Sequence, residues 1–344
     1  MSPKIFITGA TGYIGGDALY ALYNKHPEYT YSALVRSEEK GKAVQAAFPN
    51  VRIVVGTLDD AEILEREAAD ADVVIHTADA SDHEGAARAI AKGLSSGHTA
   101  SRPGYWLHTG GTGILCWYDE RSDDRLGTWN DSPPYNDWSG VSDLTSLPDD
   151  AFHRNVDKIV LEAGTREAEK VRTAILCPPT IYGKGRGPSN ARSRQAYELA
   201  KYILETGVVP IIGPGKSRWD HVHVADLSEV FVKLTEEAVK GSKDEELWGE
   251  KGYFLVESGD HVWSELARKM GRKAVELGYL KEVKEQSLGK EEAFKQAGFQ
   301  AVSWGLNSRG RAERAKKTLG WKPAGSSLDE EIETIVKEEK ERLG

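Results

Sequence analysis

The stretch of sequence that decides the fold is Lys4-Ile5-Phe6-Ile7-Thr8-Gly9-Ala10-Thr11-Gly12-Tyr13-Ile14-Gly15. Its first half is a short apolar run typical of a buried strand, and its second half carries three glycines spaced Gly-x-x-Gly-x-x-Gly. The apolar residues that follow, Leu19, Leu22 and Tyr23, recur with the spacing of one helix face. These features predict a strand, a tight turn and the start of a helix.

The three glycines each have a physical role in such a turn. Gly9 permits the turn, Gly12 lets the backbone approach a pyrophosphate, and Gly15 lets the helix pack closely against the strand. The helix N-terminus adds unpaired N–H groups and a positive dipole end, which favour phosphate. Because the motif lies between a strand and a helix, it predicts a dinucleotide site lined by Gly9, Thr11, Gly12, Tyr13, Ile14 and Gly15.

Composition and charge exclude several classes of protein. A chain of 344 residues with 29% charged residues is typical of a soluble globular protein, and its net charge of −9 disfavours nucleic acid as a partner. The two cysteines, Cys116 and Cys177, indicate a reducing compartment rather than a disulfide framework. No secretory leader pattern, membrane-length apolar run or metal-ligand spacing is present, so we expect a cytoplasmic protein without metal.

The first half of the chain alternates strand and helix patterns. Strands are predicted at 5–8, 31–35, 51–55, 72–77, 105–109 and 171–177, and helices between them at 37–48, 61–69, 84–94 and 155–170. Such alternation predicts an α/β protein with a Rossmann-type, doubly wound parallel sheet.

The second half of the chain is less regular. It predicts a short strand at 219–224 and helices at 192–205, 226–239, 309–319 and 328–343. We therefore expect a dinucleotide-binding domain at 1–177 that also receives 220–240. The segments 178–219 and 241–344 would form a smaller, mostly helical substrate lobe.

The residues after the second strand indicate which cofactor is bound. An acidic side chain there binds the adenosine ribose, whereas a basic one accommodates a 2′-phosphate. Here the strand is followed by Arg36 and Ser37, with Lys40 and Lys42 nearby, and a guanidinium can pair with phosphate through two hydrogen bonds. The pattern predicts NADP(H) in preference to NAD(H), the alternative being a solvated surface arginine. Other strand ends predict cofactor contacts from Thr57, Leu58, Thr77 and Ala78.

Several segments resemble extended and atypical short-chain dehydrogenases/reductases, the NAD-dependent epimerase/dehydratase-like group. The resemblance covers roughly residues 4–335 and starts with the Thr8–Gly15 fingerprint. It continues through Val74-Ile75-His76-Thr77-Ala78, Pro178-Pro179-Thr180-Ile181-Tyr182-Gly183, Trp219-Asp220-His221-Val222-His223-Val224-Ala225-Asp226 and the ending Asn307–Pro323. It implies a bound nicotinamide cofactor, with Pro178 and Thr180 near the nicotinamide.

The resemblance weakens at the catalytic residues. The family uses a Tyr-x-x-x-Lys helix motif, in which tyrosine donates a proton and lysine holds the nicotinamide ribose, plus a serine or threonine hydroxyl. Lys158 looks like that lysine, but Arg154 stands where the tyrosine is expected. The hydroxyl is predicted to come from Thr109 or Thr112, either of which is alternatively a turn threonine bonded to its own backbone.

Three replacements for the tyrosine are open. His153 is one, because an imidazole titrates near neutral pH. Tyr182 is another, although a packing role is favoured for it. The third is Tyr118 or Tyr135 in the aromatic segment 117–138, interpreted as a loop that covers a flat or apolar ligand or as a satellite hydrophobic cluster.

Two classes of function remain open. The favoured one is an NADPH-dependent oxidoreductase that transfers a hydride to a carbonyl or related unsaturated carbon, with an epimerase or dehydratase as a variant. The other is a non-catalytic NADP(H)-binding redox sensor that regulates a partner. We expect a small, apolar or aromatic substrate and a monomer or homodimer, with neither nucleic acid nor membrane as a partner.

Overall fold

A computed structural model describes residues 2–344 of the chain. In chain order, the strands of these residues are β1 (Lys4–Thr8), β2 (Thr30–Val35), β3 (Arg52–Val55), β4 (Val73–His76), β5 (Gly104–Thr109), β6 (Tyr135–Asn136), β7 (Val171–Cys177), β8 (Thr180–Tyr182), β9 (Val208–Ile212), β10 (Arg218–His223), β11 (Tyr253–Leu255), β12 (Gly259–Val262), β13 (Lys284–Leu288) and β14 (Gly310–Arg311).

The α-helices alternate with the strands through the first half of the chain and dominate the rest. They are α1 (Tyr13–Lys25), α2 (Glu38–Ala47), α3 (Ala61–Asp70), α4 (Glu84–Gly97), α5 (Trp117–Glu120), α6 (Val141–Thr145), α7 (Arg154–Arg166), α8 (Gln195–Thr206), α9 (Val224–Val239), α10 (Trp263–Glu276), α11 (Lys290–Ser303), α12 (Arg314–Thr318) and α13 (Leu328–Leu343). Short 3₁₀ turns lie at Thr112–Cys116, Asp123–Arg125 and Gly249–Lys251.

Seven parallel strands form the central sheet, in the order β11-β7-β5-β4-β1-β2-β3. The strand order reverses between β1 and β4, which creates a crevice at their carboxyl ends where such sheets bind ligands. The prediction of a Rossmann-type, doubly wound α/β fold is confirmed. Each of the six predicted strands of this sheet occurs within one residue of its expected bounds.

Alternate residues of the central strands are buried in two separate cores. Ile5 and Ile7 belong to one core, together with Leu19 of α1 and Phe231 of α9. Phe6, between them, belongs to the other core, which α3, α4 and α7 cover. The sheet is thus buried on both faces, which explains the near-continuous apolar runs in its strands.

The smaller lobe has its own core and three small sheets. Its core is built from α8, α10, α11 and α13 and includes Tyr197, Met270 and Ile335. The strands β12, β10 and β8 form one sheet, and β13 with β9 and β14 with β6 form two more. The helix predicted at 309–319 is wrong in its first half, because Gly310 and Arg311 pair with β6 and the helix begins at Arg314.

The division of the chain between the two lobes differs from the prediction at one strand. β11 lies in the segment assigned to the smaller lobe, yet it pairs with β7 at the edge of the central sheet. Its three residues, Tyr253, Phe254 and Leu255, are all buried, so this edge of the sheet is completed by a late segment. Among the described residues, no helix is long and apolar enough to cross a membrane.

Candidate active site

A cleft of about 1040 Å³ runs along the carboxyl ends of the central strands. It collects most of the residues predicted from the sequence to form the site, namely Gly9, Thr11, Gly12, Tyr13, Ile14, Gly15, Arg36, Thr57, Leu58, Thr77, Ala78, Thr112, His153 and Pro178. Four other predicted residues do not line it: Ser37, Thr109, Lys158 and Thr180.

The glycine turn after β1 forms one end of the cleft. Gly9 has a φ of +82°, and a Cβ atom on Gly15 would lie 2.2 Å from the Thr77 hydroxyl and 2.5 Å from the Gly9 carbonyl oxygen. α1 begins directly after Gly12, and no side chain caps its N-terminus. The turn therefore presents an open backbone cradle with helix N–H groups, and these residues fit a dinucleotide pyrophosphate.

Hydrogen bonds between β1 and β4 fix the floor of this cradle. The Thr77 hydroxyl donates to the Thr8 carbonyl oxygen at 2.7 Å. The Thr8 hydroxyl oxygen in turn accepts from the backbone N–H groups of Thr77 and Ala78 at 3.2 and 3.3 Å. These bonds hold the crevice at the point where the strand order reverses.

Arg36 stands at the end of β2, on the wall of the cleft. Its side chain is exposed, and the structure gives it no hydrogen bond or ion pair with residues 2–344. Ser37 instead caps α2 by accepting the Lys40 N–H at 3.3 Å. The guanidinium is therefore available to an anion in the cleft, whereas the serine supports the helix.

His153 also lines the cleft. It is the N-cap of α7 and has a φ of +67°, a left-handed conformation that is costly for a side chain with a Cβ atom. Its Nδ1 lies 2.6 Å from Asp82 Oδ1, and this hydrogen bond holds the pKa of the aspartate below its usual range. A Cβ atom on Gly111 would lie 3.3 Å from Nε2, so the free nitrogen faces the Gly110–Gly113 loop.

Comparisons with known proteins identify the family. A sequence profile described as NAD(P)H-binding matches residues 9–99, and one for the NAD dependent epimerase/dehydratase family matches residues 154–247. A relative from Acremonium sp, named oxidase ucsJ, is 43% identical over 352 residues, which span 100% of this chain and 99% of the relative. The chain belongs to the extended short-chain dehydrogenase/reductase superfamily.

Solved structures of other proteins share the fold of this chain. A UDP-glucose 4-epimerase from Thermotoga maritima aligns with a TM-score of 0.64 and 17% identity, over 99% of this chain and 100% of that one. The dTDP-glucose 4,6-dehydratase DesIV of Streptomyces venezuelae, with NAD and TYD bound, gives 0.65 and 16%, over 99% and 98%. The chain is therefore an oxidoreductase-like enzyme with a nicotinamide cofactor.

Lys158 does not take the position expected of the superfamily lysine. It lies on the outer face of α7, and its Nζ donates to Asp149 Oδ1 at 2.8 Å in an exposed ion pair. The inward position of that helix turn belongs to Asp157, which is buried and accepts from the Tyr253 hydroxyl at 2.7 Å. The placement does not agree with a ribose-binding role for Lys158.

Arg154, at the position where the resemblance led us to expect the tyrosine, is buried. Only 7% of the residue is exposed, and its Nη2 donates to the Thr145 carbonyl oxygen at 2.5 Å. It does not line the cleft. The arginine ties the start of α7 to the end of α6, a structural role rather than a chemical one.

The two candidate threonines have different surroundings. Thr112 lines the cleft, and its N–H donates to the Pro178 carbonyl oxygen at 3.1 Å, which leaves its hydroxyl without a partner among residues 2–344. Thr109 is buried in β5 and does not line the cleft, although its hydroxyl also lacks a partner among residues 2–344. Thr180, on β8, is likewise fully buried. Thr112 is therefore the better-placed hydroxyl.

The three candidate tyrosines lie elsewhere. The Tyr182 hydroxyl donates to the Ser326 carbonyl oxygen at 2.7 Å, and burial raises its pKa to about 12. Tyr118 and Tyr135 line a separate cavity of about 160 Å³, where Tyr135 accepts from the Trp117 indole. Their segment pairs with the C-terminal strand β14, which agrees with the alternative of a satellite cluster rather than a loop that reaches the cleft.

Sequence reasoning missed Asp82 and Phe299, which both line the cleft. Asp82 follows β4 in the loop before α4, where an acidic residue is unremarkable by itself. Phe299 comes from α11, a helix that carries no recognisable motif. No local sequence pattern marks either residue as part of the site, because each is positioned by contacts with residues distant in the sequence.

Proposed function

We propose that the protein is an NADPH-dependent oxidoreductase that transfers a hydride to a carbonyl or related unsaturated carbon of a small molecule. One observation carries this proposal: a single cleft connects the glycine cradle with the Asp82–His153 pair. A cofactor cradle and an acid–base group are the two parts that such a reaction requires. The Acremonium relative, named an oxidase, supports the oxidoreductase class.

Residues that line the cleft would hold the cofactor along its length. The N–H groups of the Gly9–Gly15 turn would bind the pyrophosphate, and the Arg36 guanidinium would pair with a 2′-phosphate. Thr57 and Leu58 would flank the adenosine, and Thr77, Ala78 and Pro178 the nicotinamide half. When bound, the reduced nicotinamide supplies the hydride.

His153 is assigned the proton transfer. Asp82 accepts the Nδ1–H and thereby fixes the tautomer, so Nε2 is the nitrogen that faces the reacting group. Protonated His153 gives its Nε2 proton to the substrate oxygen as the carbonyl carbon accepts the hydride, and the product is an alcohol. The free Thr112 hydroxyl donates a hydrogen bond to the same oxygen and stabilises its developing charge.

The Asp82–His153 pair also favours an enzyme over a redox sensor. A sensor needs contacts to the cofactor alone, and it gains nothing from a strained histidine held in the same cleft by a hydrogen bond to Asp82. Strained residues persist where function maintains them.

Cofactor choice is tested by replacing Arg36. We expect Arg36→Ala to weaken NADPH binding at least about tenfold and to leave NADH binding unchanged, because only NADPH carries the 2′-phosphate. The affinities are measured by calorimetry. Lys42→Ala, which removes an exposed charge nearby outside the cleft, is the matched control. Equal losses for both cofactors would refute the phosphate role.

Catalysis is tested at His153 in single-turnover experiments with NADPH and a panel of aldehydes, ketones, enones and imines. We expect His153→Asn to lower the rate by about 10²- to 10⁴-fold, with unchanged NADPH affinity, because it removes the proton donor. Lys158→Ala is the control on the same helix and should leave the rate unchanged, given its exposed pair with Asp149. The absence of turnover in the wild type across the panel would sink the oxidoreductase proposal.

A further inference from the structure

Two phenylalanines stand together beside His153 at the mouth of the cleft. The ring centroid of Phe152 lies 3.7 Å from that of His153 and 5.7 Å from that of Phe299. Both phenylalanines line the cleft, yet they are 39% and 43% exposed. Large aromatic side chains are usually more buried than this, so the pair leaves apolar surface open next to the proposed proton donor.

The second ring of this pair depends on an irregular helix. α11 is interrupted at Ala297 and Gly298, and Gly298 has a φ of +62°, a conformation that favours glycine. Phe299 follows immediately and lines the cleft together with Gln300 and Ser303. Phe294, on the first half of the same helix, is 59% exposed and lies outside the cleft.

We propose that Phe152 and Phe299 form an aromatic clamp that holds a planar, conjugated part of the substrate beside His153. The inference rests on the proposed function and names its substrate class: cyclic aromatic or conjugated carbonyl compounds. The two rings already contact each other as a tilted pair with an interplanar angle of 43°, so a flat ligand would lie across their exposed faces rather than between them. A flat ligand would cover the apolar surface that the two rings expose.

The surroundings of the two phenylalanines favour a neutral ligand beside His153. Ile181, Trp219 and Leu306 supply further apolar lining in the cleft. The acidic residues near His153 are Asp82, which pairs with it, and Glu120, whose pKa burial raises above its usual value. Two arginines, Arg192 and Arg194, also line the cleft, so the preference for a neutral ring is confined to the apolar surface of the two phenylalanines, where a charged group would lose its hydration without a polar partner.

The test uses N-phenyl-1-naphthylamine, a neutral aromatic probe whose fluorescence rises in apolar sites. It is titrated into the intact protein with and without saturating NADP. We expect Phe299→Ala to weaken probe binding roughly three- to tenfold, the range expected for loss of one aromatic contact. Phe294→Ala, the matched control on the same helix, should bind like the wild type, and Phe299→Tyr should restore the affinity.

The outcomes of the probe titration distinguish failure of the aromatic clamp from failure of the proposed carbonyl reduction. Loss of probe affinity in Phe299→Ala but not in Phe294→Ala supports the clamp even if no carbonyl compound is reduced. Equal affinity in these two variants, or no saturable binding to the wild type, overturns it. Where turnover is measured, 9,10-phenanthrenequinone should show a raised KM in Phe299→Ala, whereas cyclohexanone should not. Equal changes for both substrates would contradict the substrate class.

Discussion

His153 combines a left-handed backbone with a hydrogen bond to Asp82, and substitution can measure the energetic cost of that backbone conformation. His153→Ala and His153→Gly both remove the imidazole, but only alanine pays the steric cost of a Cβ atom at positive φ. We expect the glycine variant to be more stable than the alanine variant by about 1 kcal/mol, after allowance for its more flexible unfolded chain. Urea unfolding of the two variants measures the difference. A more stable alanine variant would contradict the left-handed assignment.

At the residue scale, the cofactor cradle was predictable and the catalytic group only in part. The glycines act through backbone geometry within one turn, so a local motif specifies them. Lys158 was predicted from its resemblance to the family's lysine, but the phase of α7 turns it outward to Asp149. His153 was named from its chemistry, but its partner Asp82 comes from a distant loop that no spacing rule connects to it.

At the scale of elements, α1 is braced behind the phosphate cradle by a buried carboxylate. Asp17 of α1 accepts hydrogen bonds from the Arg186 guanidinium at 2.6 and 3.0 Å and from the Ser228 hydroxyl of α9 at 2.6 Å. We expect Asp17→Asn to lower the free energy of unfolding by about 2 kcal/mol, because the fully buried side chain at position 17 loses its charge opposite the partly exposed Arg186 guanidinium. Denaturant titration measures this loss. Glu84→Gln, which breaks the exposed pair with Arg88, should cost less than about 1 kcal/mol.

The strand β10 carries a buried carboxyl that makes stability depend on pH. Burial raises the pKa of Asp220 to about 8, partly offset by the hydrogen bond that it accepts from the Gly310 N–H. Between pH 4 and 8 the folded chain binds this proton and the unfolded chain does not, so the contribution to stability falls as pH rises through that window. Asp220→Asn removes the dependence. We therefore expect the free energy of unfolding of the variant to rise relative to that of the wild type, by on the order of a few kcal/mol between pH 4 and pH 8.

This prediction is checked by urea unfolding of both proteins at several pH values. Taking the difference between the two cancels the other titrating groups that they share. A difference that is constant from pH 4 to 8 would show that Asp220 is not protonated in the folded protein.

At the scale of the whole molecule, the sequence predicts the central sheet better than the smaller lobe. Parallel strands buried on both faces give uninterrupted apolar runs, which is why the strands near Ile5, Ile75 and Leu176 were found within one residue. The short strands β6 and β14 have two residues each and depend on pairing across more than 170 residues. No local pattern specifies such pairs, so the helix expected at 309–319 was begun too early.

The late position of β11 has a consequence for synthesis on the ribosome. When a nascent chain has emerged only to Cys177, β7 has β5 on one side and an open, apolar edge on the other. That edge is protected only after Tyr253–Leu255 has been translated, some 75 residues later by the numbering of the two strands. Open apolar edges invite pairing between chains, so this interval is where the polypeptide most needs a chaperone, and a fragment ending after β7 is expected to aggregate when expressed alone.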